Sequence, residues 1–287
     1  MMNYVIISPV RNEGEFIQNT LDAVIAQTVK PTEWIIVNDG SNDDTAGIIA
    51  SYTNVHPWIK LIDRPDRGYR KSGAGVMEAF YDGYNALESK SWNFIVKLDG
   101  DVTFDEYYFE NCFNKFAQDS ELGICGGIIC YVIDGQVVHE KNPVFHVRGA
   151  TKIYRSECWF AIGGLVKAPG WDTIDEFKAN MLGWKSRTFS ELNVIHHRVT
   201  GSADGTWRNA IKDGLADYVA GYHPVFMAVK CIRKLFVKPY FIFSIGIFCG
   251  FMKGYICRIP QVEDERLIRY IRHEQLKRLT FRSSIWK

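Results

Sequence analysis

Two aspartates separated by one glycine are the residues of this chain with the clearest chemical potential. Asp99 and Asp101 follow directly after the apolar run 94–98, which is typical of a buried strand. Two carboxylates at this spacing can share a divalent cation, because hard cations prefer oxygen ligands. The intervening Gly100 lets the backbone come close to a ligand. An acidic surface turn would contain the same residue types, so the interpretation depends on the neighbouring elements.

Polar residues also end two other predicted strands. Asp39 follows the apolar segment 34–37, and Arg11 and Glu13 come shortly after Pro9 at the end of the first apolar run. A carboxylate in the position of Asp39 can accept hydrogen bonds from a nucleobase or a ribose. Ligands of open α/β sheets bind beyond the carboxyl ends of the strands. We therefore expect these residues to line one crevice together with the paired aspartates.

The order of apolar segments predicts the elements that position these residues. Apolar runs typical of strands occur at 4–10, 34–37, 59–62 and 94–98, and helical periodicity occurs at 15–27 and 75–87. This alternation predicts an α/β fold with a doubly wound, mainly parallel sheet. Short segments with glycine turns at 122–160 predict a smaller antiparallel part, and a helix is expected at 171–182.

The composition is that of a globular chain with one large or two small domains. It has 287 residues and a net charge of +1, which gives no argument for nucleic acid as a partner. Its seven cysteines form no CxxC pair, so we expect reduced thiols in a cytosolic protein, and the N-terminus lacks the pattern of a signal peptide. We expect a catalytic domain at 1–215, divided into a nucleotide half at 1–101 and an acceptor half at 102–215, and a helical region at 216–287.

The C-terminal part differs in composition from the rest. No aspartate or glutamate occurs between Asp217 and Glu263, whereas lysine and arginine recur. The uncharged, aromatic run 239–252 is too short for a spanning helix, which needs about 20 residues. It predicts a re-entrant or interfacial helix, or else an ordinary core helix. The basic amphipathic segment 265–282 can lie on anionic lipid or pack on its own domain, and we expect peripheral contact with the inner face of the cell membrane.

Three motifs together carry a resemblance to a known family. They are Ile7-Ser8-Pro9-Val10-Arg11-Asn12-Glu13, Val37-Asn38-Asp39-Gly40-Ser41-Asn42-Asp43-Asp44-Thr45 and Leu98-Asp99-Gly100-Asp101. In the order and spacing of these motifs, the chain resembles the inverting family 2 glycosyltransferases, which have the nucleotide-diphospho-sugar transferase fold. The resemblance implies a UDP- or GDP-sugar as donor and Mn²⁺ or Mg²⁺ as cofactor.

The resemblance also assigns residues to the donor. By this resemblance, Pro9, Arg11 and Glu13 would line the nucleotide pocket, and Asp39 would contact the nucleobase. Three cations lie where the family carries groups that face the nucleotide, and they are Arg67, Arg70 and Lys71. Their charges would suit the diphosphate. A solvated basic loop is the alternative interpretation for these three residues.

The metal would be held chiefly by Asp101, and Asp99 would contact either the metal or the ribose. Some relatives place a histidine downstream as a further metal ligand or diphosphate contact. This chain has His196-His197-Arg198 after a predicted strand. Adjacent strand residues face opposite sides, so only one of the two imidazoles points inward. We select His197.

One acidic segment contains the candidates for the catalytic base. An inverting transfer needs a carboxylate that takes the proton of the acceptor hydroxyl, and the family supplies it from a Glu-Asp pair at the start of a helix. Asp172 lies eleven residues before Gly183, a spacing common in the family, but Trp171 replaces the glutamate. Asp175, with Glu176 beside it, is therefore a rival on the same helical face. We predict Asp172, the alternative being an acidic first turn that only suits the helix dipole.

The downstream region lacks the Gln-x-x-Arg-Trp motif of the processive members of the family. We therefore predict a non-processive transferase that moves one sugar to a glycan or lipid-linked acceptor in cell-wall or exopolysaccharide assembly. Transfer to polyprenyl phosphate is a related alternative. A nucleotidyltransferase would need a glycine-rich phosphate loop after the first strand, which this chain lacks. A degenerate, membrane-bound glycan-binding protein has only Trp171 in its favour.

Overall fold

The computed structural model of the protein describes residues 2–68, 74–198, 205–236 and 240–286. The strands are β1 (Tyr4–Val10), β2 (Glu33–Asn38), β3 (Ile59–Asp63), β4 (Phe94–Leu98), β5 (Val102–Thr103), β6 (Leu122–Ile133), β7 (Gln136–His139), β8 (Thr151–Arg155) and β9 (Lys185–His196). The helices are α1 (Ile17–Ile25), α2 (Thr45–Thr53), α3 (Ala74–Asn85), α4 (Tyr108–Gln118), α5 (Ser156–Ile162), α6 (Trp171–Met181), α7 (Gly205–Val219), α8 (Pro224–Lys234), α9 (Ile242–Ile256) and α10 (Glu265–Leu279).

The strands of the described residues join one sheet in the order β3-β2-β1-β4-β8-β6-β9-β5, with β7 paired to β6. The strands from β3 to β4 in this order are parallel. Strand β8 runs antiparallel to both β4 and β6, and β9 is parallel to β6 but antiparallel to β5. The prediction of a doubly wound, mainly parallel sheet with a smaller antiparallel part is confirmed.

Strand β1 illustrates how the sequence builds a layer of helices on each side of the sheet. Every residue of β1 is buried. Tyr4 and Ile6 belong to one apolar cluster, with residues of α1 and α4, while Val5 and Ile7 belong to a second, with residues of α3, α5 and α6. The apolar run is continuous because helices cover both faces. The carboxyl ends of β1, β2 and β4 consequently meet at one edge of the sheet.

Strand β6 is longer than the short segments that the glycine turns predicted at 122–160, and β9 has the same length as β6. Each has 12 residues. They pair in parallel with register shifts between Leu122 and Ile124 and between Gly127 and Ile128. Such irregularities bend and twist a strand without ending it. Strand β9 therefore continues to His196, which lies next to β5.

The C-terminal helices pack on one another and, through α10, on α6. Helices α7 and α9 approach closely at glycines. A Cβ atom on Gly214 would lie 1.9 Å from the carbonyl oxygen of Ile247, and one on Gly250 would lie 2.1 Å from that of Ile211. Because these neighbours are backbone atoms, larger residues at the two glycines would push the helices apart.

The predicted domain boundary after position 215 falls inside α7, so the helical region begins earlier, at Gly205. The division into a catalytic and a helical domain stays a prediction. The apolar run at 239–252 largely coincides with α9, and the basic segment at 265–282 with α10. Over the described ranges, none of the helices combines the length and the apolar character needed to cross a bilayer.

Candidate active site

The Asp99-Gly100-Asp101 turn connects β4 to β5 at the edge where the parallel strands end. Close packing requires the glycine, since a Cβ atom on Gly100 would lie 2.8 Å from Cγ1 of Val10 and 3.1 Å from Cδ1 of Ile17. Val10 is the last residue of β1, and Ile17 is the first residue of α1. The turn is thereby held against the first strand of the sheet, as the sequence pattern predicted.

Asp99, Asp101 and His196 form a group that can hold a metal ion. One ligand atom from each residue lies within 4.8 Å of the others, and Nε2 of His196 is 3.1 Å from Oδ1 of Asp101. The pairing of β5 with β9 produces this contact, because it sets Val102 opposite His196. Two carboxylates and one imidazole suit Mn²⁺ and similar divalent ions, so the residues fit the implied metal.

Positively charged side chains compensate the carboxylates of the metal group, which is formed by Asp99, Asp101 and His196. Burial opposes ionisation of Asp101, but the hydrogen bond and charge of His196, together with the charge of Arg198, outweigh burial and lower the pKa of Asp101. The pKa of His196 is raised, since the partner carboxylate outweighs the effect of burial on the imidazole. Burial raises the pKa of Asp99, and the ammonium group of Lys97 opposes this increase. Lys97 hydrogen-bonds to the Asp99 carboxylate and to the carbonyl of Gly149, the latter at 2.7 Å.

His196, and not the predicted His197, reaches the two aspartates, which corrects the choice made from the sequence. The ring of His197 stacks on Phe16 with the ring centroids 5.6 Å apart. Its Nε2 lies 3.0 Å from Oγ1 of Thr103. The two imidazoles face opposite sides of β9, as expected for adjacent strand residues. Which of them faces inward depends on the pairing with β5, which the sequence did not specify.

Glu13, predicted in the nucleotide pocket, lies beside the metal group and pairs with Arg198. Nη1 of Arg198 donates to Oε1 of Glu13 at 3.1 Å. Nη2 lies 3.0 Å from Oε2 but without hydrogen-bond geometry. Burial raises the pKa of Glu13 to about 8, the charges of Asp101 and Asp99 add to this increase, and Arg198 opposes it. Arg198, mentioned in the sequence only as a neighbour of the histidines, therefore belongs to this site.

Asp39 lies just beyond β2, and two arginines bind its carboxylate. Nη1 of Arg64 is 2.5 Å from Oδ1 of Asp39, and Nη1 of Arg67 is 3.1 Å from the same atom. Nη2 of Arg67 makes a second, shorter contact with Oδ2. The structure thus places Arg67 next to Asp39, the residue predicted to contact the nucleobase. Arg64 joins it, although the family resemblance assigned no role to this residue.

The remaining predicted donor residues are divided between this pocket and the part of the chain that is not described. Arg11 donates to the backbone carbonyl of Asp39, and its Nη2 is 2.7 Å from Oδ1 of Asp66. Pro9 lies on β1 next to β2, opposite Val37. The predicted contacts of Arg70 and Lys71 lie outside the described residues.

Asp175 and Glu176 are locked in a buried network. The side chains of both residues and of Lys152 are fully buried, with Nζ of Lys152 2.9 Å from Asp175 and 2.8 Å from Glu176. The hydroxyl of Tyr154 also donates to Asp175, and Nδ1 of His146 lies 2.9 Å from Oε2 of Glu176. Burial raises the pKa of Asp175 to about 6. An acceptor hydroxyl cannot reach either carboxylate without breaking this network.

Asp172 differs from its two neighbours because it is partly exposed. No described residue donates a hydrogen bond to its carboxylate, although Lys152 binds its backbone carbonyl. Burial opposes ionisation of Asp172, but the charges of His146, Lys152 and Arg148 outweigh burial and lower its pKa. A Cβ atom on Gly149 would lie 3.5 Å from Cβ of Asp172, so the start of α6 adjoins the turn before β8, where the carbonyl of Gly149 accepts a hydrogen bond from Lys97. Asp172 is therefore an ionised, partly exposed carboxylate, and Gly149 and Lys97 connect its position to the metal group.

The sequence analysis missed two buried lysines that organise this region. Lys97 and Lys152 face each other in the register of β4 and β8. Their Nζ atoms lie 5.5 Å and 5.7 Å from the ring centroid of Trp171, the residue that replaces the family's glutamate. The sequence contained a signal for such a residue, because Lys97 lies within the apolar run 94–98. A lysine that is buried in a strand must pair with an opposite charge or a hydrogen-bond acceptor.

The ion pair between His146 and Glu176 predicts a dependence of stability on pH. The pKa of His146 is raised, because the charge of Glu176, and secondarily that of Asp172, outweighs burial and the nearby Lys152. A raised histidine pKa stabilises the fold fully below the unfolded value of about 6.5, and this stabilisation is lost as pH rises through the folded value. We expect the melting temperature of the wild type, relative to His146→Asn, to be higher at about pH 6 than at about pH 8.5, by about 2–4 °C for each kcal/mol of coupling. Thermal unfolding of both proteins at the two pH values measures this, and an unchanged difference would contradict it.

Known proteins are similar to this chain in sequence and in fold. Residues 5–169 match the profile of the family described as glycosyl transferase family 2. A stretch of 113 residues is 28% identical to glycosyltransferase GlyA of Streptococcus pneumoniae, covering 39% of this chain and 15% of GlyA. Another, of 116 residues, is 29% identical to poly-β-1,6-N-acetyl-D-glucosamine synthase of Staphylococcus epidermidis, covering 40% of this chain and 26% of the synthase. The match thus spans about a quarter or less of the length of these relatives.

Solved structures share the fold over nearly the whole chain. The mannosyltransferase PcManGT of Pyrobaculum calidifontis, in complex with GDP-Man and Mn²⁺, superposes with a TM-score of 0.58 at 16% identity and covers 98% of this chain and 76% of its own. Residues 1–349 of TarS from S. aureus, in complex with UDP-GlcNAc, give a TM-score of 0.55 at 15% identity, with 96% and 81% covered. At these identities the likeness shows the fold, and it confirms the predicted nucleotide-sugar transferase type.

Proposed function

This chain belongs to glycosyl transferase family 2, and we propose that it is a non-processive inverting enzyme that moves one sugar from a UDP- or GDP-sugar to a glycan or lipid-linked acceptor. Use of a nucleotide-sugar donor accords with its family. The observation that carries the inverting mechanism is Asp172, whose carboxylate is ionised and partly exposed, at a helix start that Gly149 and Lys97 connect to the group that can hold a metal.

At the donor end, we propose that Asp99, Asp101 and His196 hold Mn²⁺ or Mg²⁺. A bound divalent ion offsets the charge that develops on the diphosphate leaving group. The nucleobase would donate a hydrogen bond to the carboxylate of Asp39 and replace part of the arginine pairing there. The displaced guanidinium groups of Arg64 and Arg67 would stay beside the nucleotide, where they suit phosphate oxygens.

At the acceptor end, we propose Asp172 as the general base. Its carboxylate takes the proton of the acceptor hydroxyl, and the freed oxygen forms a bond to the anomeric carbon of the sugar. The bond from that carbon to the diphosphate breaks, and the nucleoside diphosphate leaves with the electron pair, so the configuration inverts. Lys152 and Arg148 favour the ionised form of Asp172, while Asp175 and Glu176 hold Lys152 in place.

We propose that the reaction takes place at the cytoplasmic face of the cell membrane. The exposed aromatic side chains and the basic composition of the C-terminal helices support a lipid-linked acceptor, for which polyprenyl phosphate is one candidate. The alternative of a degenerate glycan-binding protein rested on Trp171. The contacts of Trp171 with Lys97 and Lys152 give this substitution a packing role, and the carboxylate of Asp172 is retained.

A donor screen tests the proposed function. Because a ligand that binds only the folded state raises its stability, the cognate nucleotide sugar should raise the melting temperature in the presence of Mn²⁺. The panel consists of UDP-, GDP- and dTDP-sugars, each assayed for binding and for slow hydrolysis. A protein that neither binds nor hydrolyses any member of a broad panel would not be a transferase of this type.

A further inference from the structure

The start and outer side of helix α9 form an apolar face that is largely exposed, although the ring of Tyr255 at its far end also packs against Tyr218 of α7. The members of this face, which we call the α9 outer face, are Phe241, Ile245, Phe248, Met252 and Tyr255. They recur at steps of four and three residues, which places them on one side of a helix. Phe241 is 57% exposed and Phe248 is 49% exposed. Exposed apolar patches of this kind mark surfaces that bind a partner.

The opposite side of α9 is already occupied within the protein. Gly246, Gly250 and Gly254 face α7, where added Cβ atoms would collide with Ala210, Ile211 and Tyr218 respectively. This packing fixes the rotation of α9 about its own axis. The outer face therefore cannot turn inward to bury its aromatic side chains against α7.

The surroundings of the outer face are basic. Arg233, Lys253 and Arg258 are exposed near α9, and Nζ of Lys234 lies 4.6 Å from the ring centroid of Phe243. No acidic residue occurs from position 218 to 262. A second copy of the chain would bring these like charges against one another if it covered the same face. An anionic lipid surface instead offers opposite charge to the lysines and arginines and hydrocarbon to the aromatic rings.

We propose that the α9 outer face lies in the interface of an anionic bilayer and holds the protein on the membrane. The helix axis lies parallel to the bilayer plane, the aromatic side chains enter the boundary between headgroups and acyl chains, and the basic residues contact the headgroups. This is a peripheral attachment, and it does not require the protein to be an enzyme.

The attachment has a consequence for the substrate of the proposed transferase. Helix α7 packs on α9 and also approaches the start of α6, since a Cβ atom on Gly170 would lie 3.2 Å from Cβ of Ala216. The carboxylate of Asp213 in α7 favours the charged form of Arg148. Burial lowers the pKa of Arg148, but the carboxylates of Glu140, Asp172 and Asp213 outweigh this effect. The candidate base thus lies only one helix away from the bilayer. This part rests on the proposed function, and it favours an acceptor whose lipid remains in the membrane.

Vesicle binding tests the attachment with the full chain. We expect the wild type to float with vesicles of phosphatidylcholine containing about 30% phosphatidylglycerol, and to bind less to phosphatidylcholine alone, since anionic headgroups attract the basic residues. The double variant Phe241→Ser/Phe248→Ser should lose at least about tenfold in its partition coefficient, because each ring contributes the burial of a large apolar side chain.

Val137→Ser/Val138→Ser on the exposed strand β7 is the matched control, and its binding should equal that of the wild type. Circular dichroism and melting temperature establish that both variants are folded. Failure of the wild type to bind anionic vesicles would overturn the proposal. So would a dimer in sedimentation velocity that the Phe241/Phe248 variant abolishes, because the outer face would then be an interface between copies. Donor binding is measured separately, so that a failed attachment leaves the proposed function standing.

Discussion

Asp172→Asn is expected to lower the rate of sugar transfer by at least about 100-fold, the scale typical of losing a general base, while donor affinity stays unchanged. The asparagine has nearly the same shape but cannot take the acceptor proton. Because the charges of His146, Lys152 and Arg148 lower the pKa of Asp172, the asparagine should lower the melting temperature. The decrease should be smaller than for a buried hydrogen-bonded ion pair, since no described residue donates a hydrogen bond to the Asp172 carboxylate. Steady-state kinetics with varied donor, together with donor binding by calorimetry, separate the loss of turnover from a loss of affinity.

Asp175→Asn is the informative comparison for this prediction. Asp175 is buried against Lys152 and Tyr154, so its replacement removes one of the charges that compensate a fully buried ammonium group. Breaking a buried ion pair typically costs about 3–5 kcal/mol, so this variant should lose stability first. If Asp175→Asn abolishes transfer at an unchanged melting temperature while Asp172→Asn remains active, the assignment of the base is wrong.

Asp101→Ala is expected to abolish donor binding that depends on the metal, and to leave the fold intact. Asp101 contributes the carboxylate with the lowered pKa in the metal group, so it is ionised and ready to bind a cation. Titration of Mn²⁺ in the presence of the cognate nucleotide sugar measures the effect, and unchanged metal dependence would rule out the proposed metal group.

The two adjacent histidines provide a matched pair for the same titration. His196→Ala should weaken the metal dependence by at least about tenfold, the scale found even for residues in the outer shell of metal sites. His197→Ala should have little effect, because its ring contacts Phe16 and Thr103 instead of the aspartates. The reverse result would restore the ligand chosen from the sequence.

The parts of the site predictable from sequence lie where local pattern determines geometry. The turn at 99–101 follows a short apolar strand, and the same rule brings Asp39 and Glu13 to one edge of a parallel sheet. Asp172, Asp175 and Glu176 were expected on one side of a helix, and α6 begins at Trp171 as predicted. In each case a few consecutive residues specify the element, and the sheet topology does the rest.

The parts that could not be predicted depend on partners distant in the sequence. Selection between His196 and His197 requires the pairing of β9 with β5, and two irregularities, one in β6 and one in β9, alter the register between these two strands. Asp172 and Asp175 are distinguished by Lys152 and Tyr154, which come from β8 and cannot be assigned to α6 by periodicity. The length of β6 likewise depends on its pairing with β9, which overrides the glycines within β6.

The junction of β4 with β8 limits how this protein can move. Five successive residue pairs, from Phe94 opposite Arg155 to Leu98 opposite Thr151, join the strand before the metal group to the strand that supports the base. The donor and acceptor halves are therefore parts of one hydrogen-bonded sheet and cannot swing apart as two jaws about a hinge. Closure around the substrates has to come from the segments at the sheet edge, and the separation between the metal group and Asp172 should change little during the catalytic cycle.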